Sequence, residues 1–248
     1  FADAMIIGLQ RQAEQARAVA SGKPAILITS LQKSASAFVT VSLSRLLGLP
    51  LVRISCANIV IEGWARQASR GGVITHEHYG AGRGNLEALA RAGVRAVFAQ
   101  FRDPRAAVWS LYHHISARRD VSGTDTSFRQ VIETQYPQAI SFISGWIEAM
   151  DNSLGVEVHP ILYDDVRLSP SDTLCRIADL CRAPLDRSAV VSQLEADKIA
   201  GRRPENYRLG DPDDWRRGGI GELRDLMWDQ TPQSVRDYLT RSEERRVG

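Results

Sequence analysis

Two cationic side chains stand where apolar runs of strand length end, and a pair of histidines stands where a third run ends. Lys33 lies in LQKSASAF, straight after AILITS and just before a helical pattern. A strand–loop–helix turn presents unpaired backbone N–H groups and the positive end of the helix dipole, which together suit a phosphate or sulfate. Lys33 adds a point charge inside that loop. The loop is no Walker A sequence, because G-x-x-x-x-G-K-[ST] is absent. Taken alone, a Lys-Ser pair between strand and helix is as readily a polar turn. Arg102 directly follows VRAVFAQF and so emerges at the carboxyl end of a strand, where open α/β sheets bind ligands. A guanidinium fits a phosphate bidentately, and Ser110, eight residues on, offers a hydroxyl. His76 and His78 follow the short run GVIT. An imidazole titrates near neutral pH and suits the removal of a proton from a hydroxyl. His78 is the rival of His76 for that task, placed on the opposite side of an extended segment, and Glu77 between them reads as solvated. As a metal pair the two histidines lack a third ligand nearby. The chemistry these residues suit is the grip of an anionic ligand at two points with a proton acceptor beside it.

Elements of one fold class are needed to position them. Apolar runs of strand length alternate with helical patterns, which predicts an α/β domain of three layers: a parallel, P-loop-like sheet of four or five strands flanked by helices. Residues 25–29 are the first strand. Residues 36–47 are a helix, with Gly48 where a C-terminal cap belongs. Residues 51–55 are a strand, 58–69 a helix and 73–75 a short strand that runs into the glycine-rich HEHYGAGRG. Asn85 caps a helix over 86–92 that Gly93 ends. Residues 94–101 are an interior strand, after which Asp103 is an N-cap and Pro104 the first helical position, with the helix running to about Arg118. Residues 127–150 are one or two helices interrupted near Pro137. Residues 156–162 are a strand, and Ser169-Pro170 opens another helix. Trp109, Trp146 and Trp228 fit apolar helical faces and read as core. His113 and His114 lie in the helix after Arg102, where they line an acceptor pocket or pack.

The bulk numbers bound the function. The chain has 248 residues, enough for one full domain, and we read 1–248 as a single unit with an N-terminal amphipathic helix over 1–20 and a frayed tail over 241–248. The formal net charge is +2, which does not mark a polybasic nucleic-acid wrapper and leaves room for a local basic pocket. Cys56, Cys175 and Cys181 are odd in number and show no C-x-x-C spacing, so they read as reduced, buried thiols of a cytoplasmic protein. No apolar run approaches the length of a membrane span. The chain opens on Phe1 rather than Met, as an excised piece would.

Five segments in order then carry a resemblance. RDPRAAVWSLYHH looks like the 3′-phosphate segment of the sulfotransferases that use 3′-phosphoadenosine 5′-phosphosulfate (PAPS), R-D-P-R-D-x-x-x-S, with Arg102 and Ser110 at the family's spacing. LQKSASAF resembles that family's 5′-phosphosulfate loop, P-K-S-G-T-T-W. THEH resembles its K-T-H segment, ILYDDVRLSP its F-Y-E-D-M-x-x-x-P segment, and YRLGDPDDWRR its R-K-G-x-x-G-D-W-K segment, where Arg208, Gly210 and Trp215 keep the spacing. The resemblance spans roughly residues 25 to 217. It implies transfer of a sulfuryl group from PAPS to a hydroxyl or amine of a small-molecule acceptor, releasing adenosine 3′,5′-bisphosphate (PAP) without a metal. It implies that residues Lys33, Ser34, Ala35, Ser36 and Ala37 cradle the 5′-phosphate and that Lys33 stabilises it as it leaves. Phe38 and Tyr163 would lie by the adenine, Arg102, Ser110, Arg208 and Gly210 by the 3′-phosphate, and His76 would be the general base. Arg202 and Arg203 lie near Arg208 in sequence and read as near the nucleotide or on the surface.

This sequence departs from the family pattern at three points. Ala35 stands where the loop has Gly, Ala37 replaces a hydroxyl residue, and Ile74 replaces the lysine before the T-H pair. Two other readings stay open at this level. One is a P-loop-type kinase, which shares the strand–loop–helix and would need ATP and Mg²⁺. The other is a catalytically silent module that binds a nucleotide or sulfate. Loops 79–84 and 118–127 are placed to shape an acceptor site.

Overall fold

In this computed structural model the described residues are 12–119, 128–152, 154–199, 225 and 227–244. The first strand is offset at Leu27 into β1 (Ala25–Ile26) and β2 (Ile28–Ser30). β1 pairs in parallel with β6 (Val73–Thr75), which pairs with β3 (Leu51–Val52). β2 pairs in parallel with β7 (Ala96–Phe101), which pairs over six positions with β8 (Glu157–Leu162). A parallel bridge from Thr29 to Glu77 joins the two halves. The result is a parallel sheet in the order β3-β6-β1/β2-β7-β8, with the first strand in the middle. The chain therefore leaves the first strand toward one side of the sheet and later returns to its other side. The carboxyl end of β2 is that switch point, where open α/β sheets take ligands.

Helices cover both faces, and the strands show why. A buried parallel strand puts successive side chains into opposite layers. Ile26, Ile28, Ile74, Phe98 and Ile161 enter one apolar cluster with Val39 and Leu43 of α1 (Ser36–Leu47) and with α7 (Pro170–Leu180) and α8 (Arg187–Ile199). Leu27, Val73, Val97, Ala99 and Phe101 enter the other, with α2 (Glu62–Ala68), α3 (Arg83–Arg91), α4 (Pro104–Arg119) and α5 (Phe128–Asp151). This is the three-layer α/β arrangement expected. Gly48 closes α1 at φ 60, and its N–H reaches the carbonyl of Arg45.

Several expectations need correction. Residues 58–69 are not one helix. Ser55–Cys56 (β4) and Ile59–Val60 (β5) form an antiparallel hairpin, and helix α2 starts only at Glu62. Ala57 and Asn58 both have positive φ, 48 and 64, which suits a tight hairpin turn. Asn85 does not cap α3, which begins at Arg83 after Gly82. Its side chain instead accepts from the N–H of Val60 at 2.9 Å and donates to the carbonyls of Asn58 and Gly80, tying the hairpin to the loop. Helix α5 runs without a break through Pro137. Val131, Ile132, Tyr136, Ala139, Phe142, Ile143, Trp146 and Ala149 form one buried stripe on both sides of the proline, and that packing outweighs the roughly 3 kcal/mol a mid-helix proline costs. Cys56 is exposed rather than buried, because it sits on the hairpin's outer face; all three cysteines are free. Helix α9 (Gln233–Glu244) continues four residues into the segment expected to fray. Among the described residues no helix is long and apolar enough to cross a membrane.

Candidate functional site

The loop after β2 leads directly into the N-terminus of α1, where the first backbone N–H groups have no partner within the helix. Ala35 caps α1 in the left-handed conformation, φ 67 and ψ 23, and no side chain caps the helix. Lys33 also has a positive φ of 66. The loop is held from below. The buried Ser34 hydroxyl donates to the carbonyl of Leu31 at 2.6 Å, and Gln100 of β7 donates to the carbonyl of Ser34. Arg102 donates from Nη1 to the carbonyl of Lys33 at 2.8 Å. With the carbonyls of Lys33 and Ser34 occupied behind the loop, residues Lys33, Ser34, Ala35, Ser36 and Ala37 stand at the N-terminus of α1, where an anion is favoured. The left-handed φ explains why glycine suits position 35, and alanine meets it at a cost in strain.

Arg102 joins this loop to the next strand end. Its guanidinium carbon lies 4.1 Å from the centre of the Tyr163 ring, where α6 (Tyr163–Leu168) opens after β8. Burial lowers its pKa, though the side chain stays cationic at neutral pH. Its Nε is buried, with no hydrogen-bond partner among the described residues. An orphaned buried guanidinium N–H beside an open helix N-terminus is what a phosphate would satisfy. Ser110 is half-buried, about two turns along α4. Asp103 accepts from the N–H of Arg105 at 2.9 Å, as an N-cap does, and its carboxylate pairs with the Arg105 side chain at 2.6 Å. Phe38 is half-buried against the apolar cluster around α1.

The two histidines lie on the same side of their segment, not on opposite sides, because residues i and i+2 of an extended chain share a face. Their ring centres are 5.3 Å apart. His76 Nε2 is 2.9 Å from the hydroxyl of Ser36, the first residue of α1. Burial, and then the nearby His78 and Arg53, push its pKa down to about 4. His78 Nδ1 is 2.8 Å from the carbonyl of Ser30 and 3.2 Å from its hydroxyl. Glu77 is buried rather than solvated. One carboxylate oxygen accepts from the N–H groups of Ile54 at 2.7 Å and Ser55 at 3.3 Å, and the other from the Ser55 hydroxyl at 2.7 Å. The carboxylate thus clamps the hairpin to the histidine segment.

Beside His78 opens a cavity of about 1020 Å³. Leu31, Leu86, Val108, Leu111 and Phe142 give it apolar walls, and Gly80, Ala81, Gly82 and Arg83 of the loop expected to shape an acceptor site form one rim. His78 lines it and His76 does not. Trp146 is fully buried beneath it, as expected of core, whereas Trp109 and Trp228 are only half-buried. His113 packs edge-on against Trp109 at 4.4 Å. Arg202, Arg203, Arg208, Gly210 and Trp215 lie outside the described residues, as do residues 120–127 of the second loop. Among the described residues no group of three His, Cys, Asp or Glu side chains is placed to hold a metal.

Sequence reasoning missed Gln100, Ser30 and Glu77. Gln100 had a signal, as a polar residue one step from the end of a buried strand. Ser30 acts through its carbonyl and hydroxyl, and Glu77 through backbone amides far along the chain, so neither is marked by its neighbours in sequence.

No protein-family model and no curated protein matches this chain. Solved structures do. The chain aligns over 88% of its length with 88% of mouse sulfotransferase SULT7A1 complexed with PAP, at a TM-score of 0.60 and 12% identity. It aligns over 88% with 82% of retinol dehydratase in a complex with retinol and PAP, at a TM-score of 0.57 and 14% identity. The complex of retinol dehydratase with androsterone and inactive cofactor PAP gives 86% and 80%, 0.55 and 15%. The fold is that of the sulfotransferases. At such identity the likeness speaks for the architecture, and the chemistry rests on the residues of this sulfotransferase-type fold.

Proposed function

We propose that this protein transfers the sulfuryl group of PAPS to a hydroxyl or amine of a small-molecule acceptor. The observation that carries the reading is Arg102: a half-buried cation whose buried Nε has no hydrogen-bond partner among the described residues, fastened to the anion loop through the carbonyl of Lys33. Two candidate anion-binding elements are thereby joined at the sheet's switch point, and a ligand with phosphates at both its 3′ and 5′ positions would engage both. The PAP-bound structures that share the fold support the same ligand.

Bound PAPS would supply the activated sulfuryl group. The protein's share is to position and neutralise. The N–H groups at the start of α1 and the Lys33 ammonium hold the 5′-phosphate and offset the charge that grows on it. Arg102 and Ser110, with Arg208 and Gly210, hold the 3′-phosphate. Phe38 and Tyr163 flank the adenine. An imidazole of the His76–His78 segment takes the acceptor proton. The cavity beside His78 takes the acceptor.

Isothermal titration with PAP, without metal, tests this. Saturable binding is expected, weakened about 30-fold or more in Arg102→Ala, since a buried charge-assisted contact is worth about 2–3 kcal/mol. Absence of binding at millimolar PAP would refute it. Binding of ATP and Mg²⁺ in its place would favour the kinase reading.

A further inference from the structure

The resemblance assigns the base to His76, but the geometry around the two imidazoles separates their tasks differently. We propose that His78 takes the acceptor proton and that His76 serves the anion loop by holding the Ser36 hydroxyl. This rests on the sulfuryl-transfer reading above.

Three observations carry it. First, a base must reach the acceptor, and only His78 of the pair lines the large cavity. Second, the Nδ1 of His78 lies 2.8 Å from the carbonyl of Ser30, which can only accept. Whenever the ring is neutral, Nδ1 therefore carries the hydrogen and the lone pair lies on Nε2. A base oriented by a partner on its far nitrogen is the arrangement proton transfer requires. Here a strand-end carbonyl is that partner, and the Ser30 hydroxyl lies 3.2 Å from the same nitrogen. Third, the Nε2 of His76 is engaged by the first residue of α1, at 2.9 Å. Burial, with His78 and Arg53 nearby, keeps this ring neutral at physiological pH. A neutral ring bound to Ser36 steadies the hydroxyl at the mouth of the anion loop. Glu77, between the two histidines in sequence, ties their segment to the amides of Ile54 and Ser55.

In the step itself His78 Nε2 accepts the acceptor's O–H proton. The acceptor oxygen forms its bond to sulfur while the bond between sulfur and the 5′-phosphate oxygen breaks. The products are the sulfate ester and PAP, and the proton leaves from His78 to solvent.

The test uses the full chain, His78→Asn and His76→Ala, with circular dichroism to confirm folding. The amide of asparagine at position 78 takes the place of Nδ1 and can still donate to the Ser30 carbonyl, whereas alanine at position 76 removes the partner of the Ser36 hydroxyl. With saturating PAP, diethyl pyrocarbonate should label His78 and spare His76, as read by peptide mass spectrometry. PAP should bind His78→Asn within twofold of the parent and His76→Ala at least fivefold more weakly. Slow PAPS consumption with water as the acceptor should fall at least tenfold in His78→Asn. Labelling of His76 in the PAP complex, or no labelling of His78, overturns the assignment. So does unchanged PAP affinity in His76→Ala, or unchanged PAPS consumption in His78→Asn. Failure of the parent to bind PAP strikes the sulfotransferase reading instead.

Discussion

Removing the Glu77 carboxylate should loosen the hairpin and the histidine segment together. Glu77→Ala deletes an acceptor that receives two short bonds, from the N–H of Ile54 and the hydroxyl of Ser55, and one longer bond from the N–H of Ser55. All three lie in buried surroundings, with Ile54 fully buried and Ser55 nearly so. A hydrogen bond to a charged group contributes about 1.5 kcal/mol or more, and an orphaned buried N–H costs about as much again when water cannot replace the acceptor. Relief of the carboxylate's own burial offsets part of this. The net loss should be about 3 kcal/mol, or a fall in Tm of about 6–12 °C for a chain this size. Glu77→Gln keeps an amide oxygen for the two N–H groups, and the Ser55 hydroxyl can turn to accept, so about 1 kcal/mol should be lost. Urea unfolding followed by tryptophan fluorescence measures both. A Glu77→Ala variant within 1 kcal/mol of the parent, or a glutamine variant as unstable as the alanine one, would refute the clamp.

His76 makes stability depend on pH. Its folded pKa is depressed to about 4 while the unfolded ring titrates near 6.5, so between these values the unfolded chain binds the extra proton and stability falls as pH drops. Allowing for solvent screening of a half-buried ring, the loss should be about 1.5 kcal/mol between pH 6.5 and 4. His76→Gln should remove that share of the slope in denaturant melts taken across the range. Ala35→Gly should stabilise by about 0.5 kcal/mol, the left-handed strain relieved less the added chain entropy, and Ala35→Val should destabilise by about 2 kcal/mol. Thermal melting in the reverse order would contradict the left-handed cap. Trp146→Ala should cost about 3–5 kcal/mol, measured in urea, since the ring is fully buried between α5 and the histidine segment.

Much of the architecture was legible in the chain. Apolar runs of strand length alternating with helical patterns marked the parallel sheet and its covering helices, because a strand buried on both faces is apolar throughout and needs a helix on each side. Gly48 and Asp103 announced their caps through local backbone chemistry. The runs at 55–60 and across Pro137 did not read correctly. In both, contacts distant in sequence outweigh local preference: Asn85 and Glu77 for the hairpin, one apolar stripe for helix α5.

The sequence by itself determined where the anion-binding side chains come from. Lys33 and Arg102 each follow an apolar strand, and a parallel sheet carries all such positions to one edge. Only the tertiary structure decided how they act together. It turned the backbone at Ala35 left-handed, put Arg102 behind the loop through the carbonyl of Lys33, and buried Glu77 under the hairpin. It also gave one histidine to the loop and the other to the cavity. A residue's type and spacing place it on an element, but its hydrogen-bond partners and the water left around it depend on segments far along the chain, and those set its chemistry.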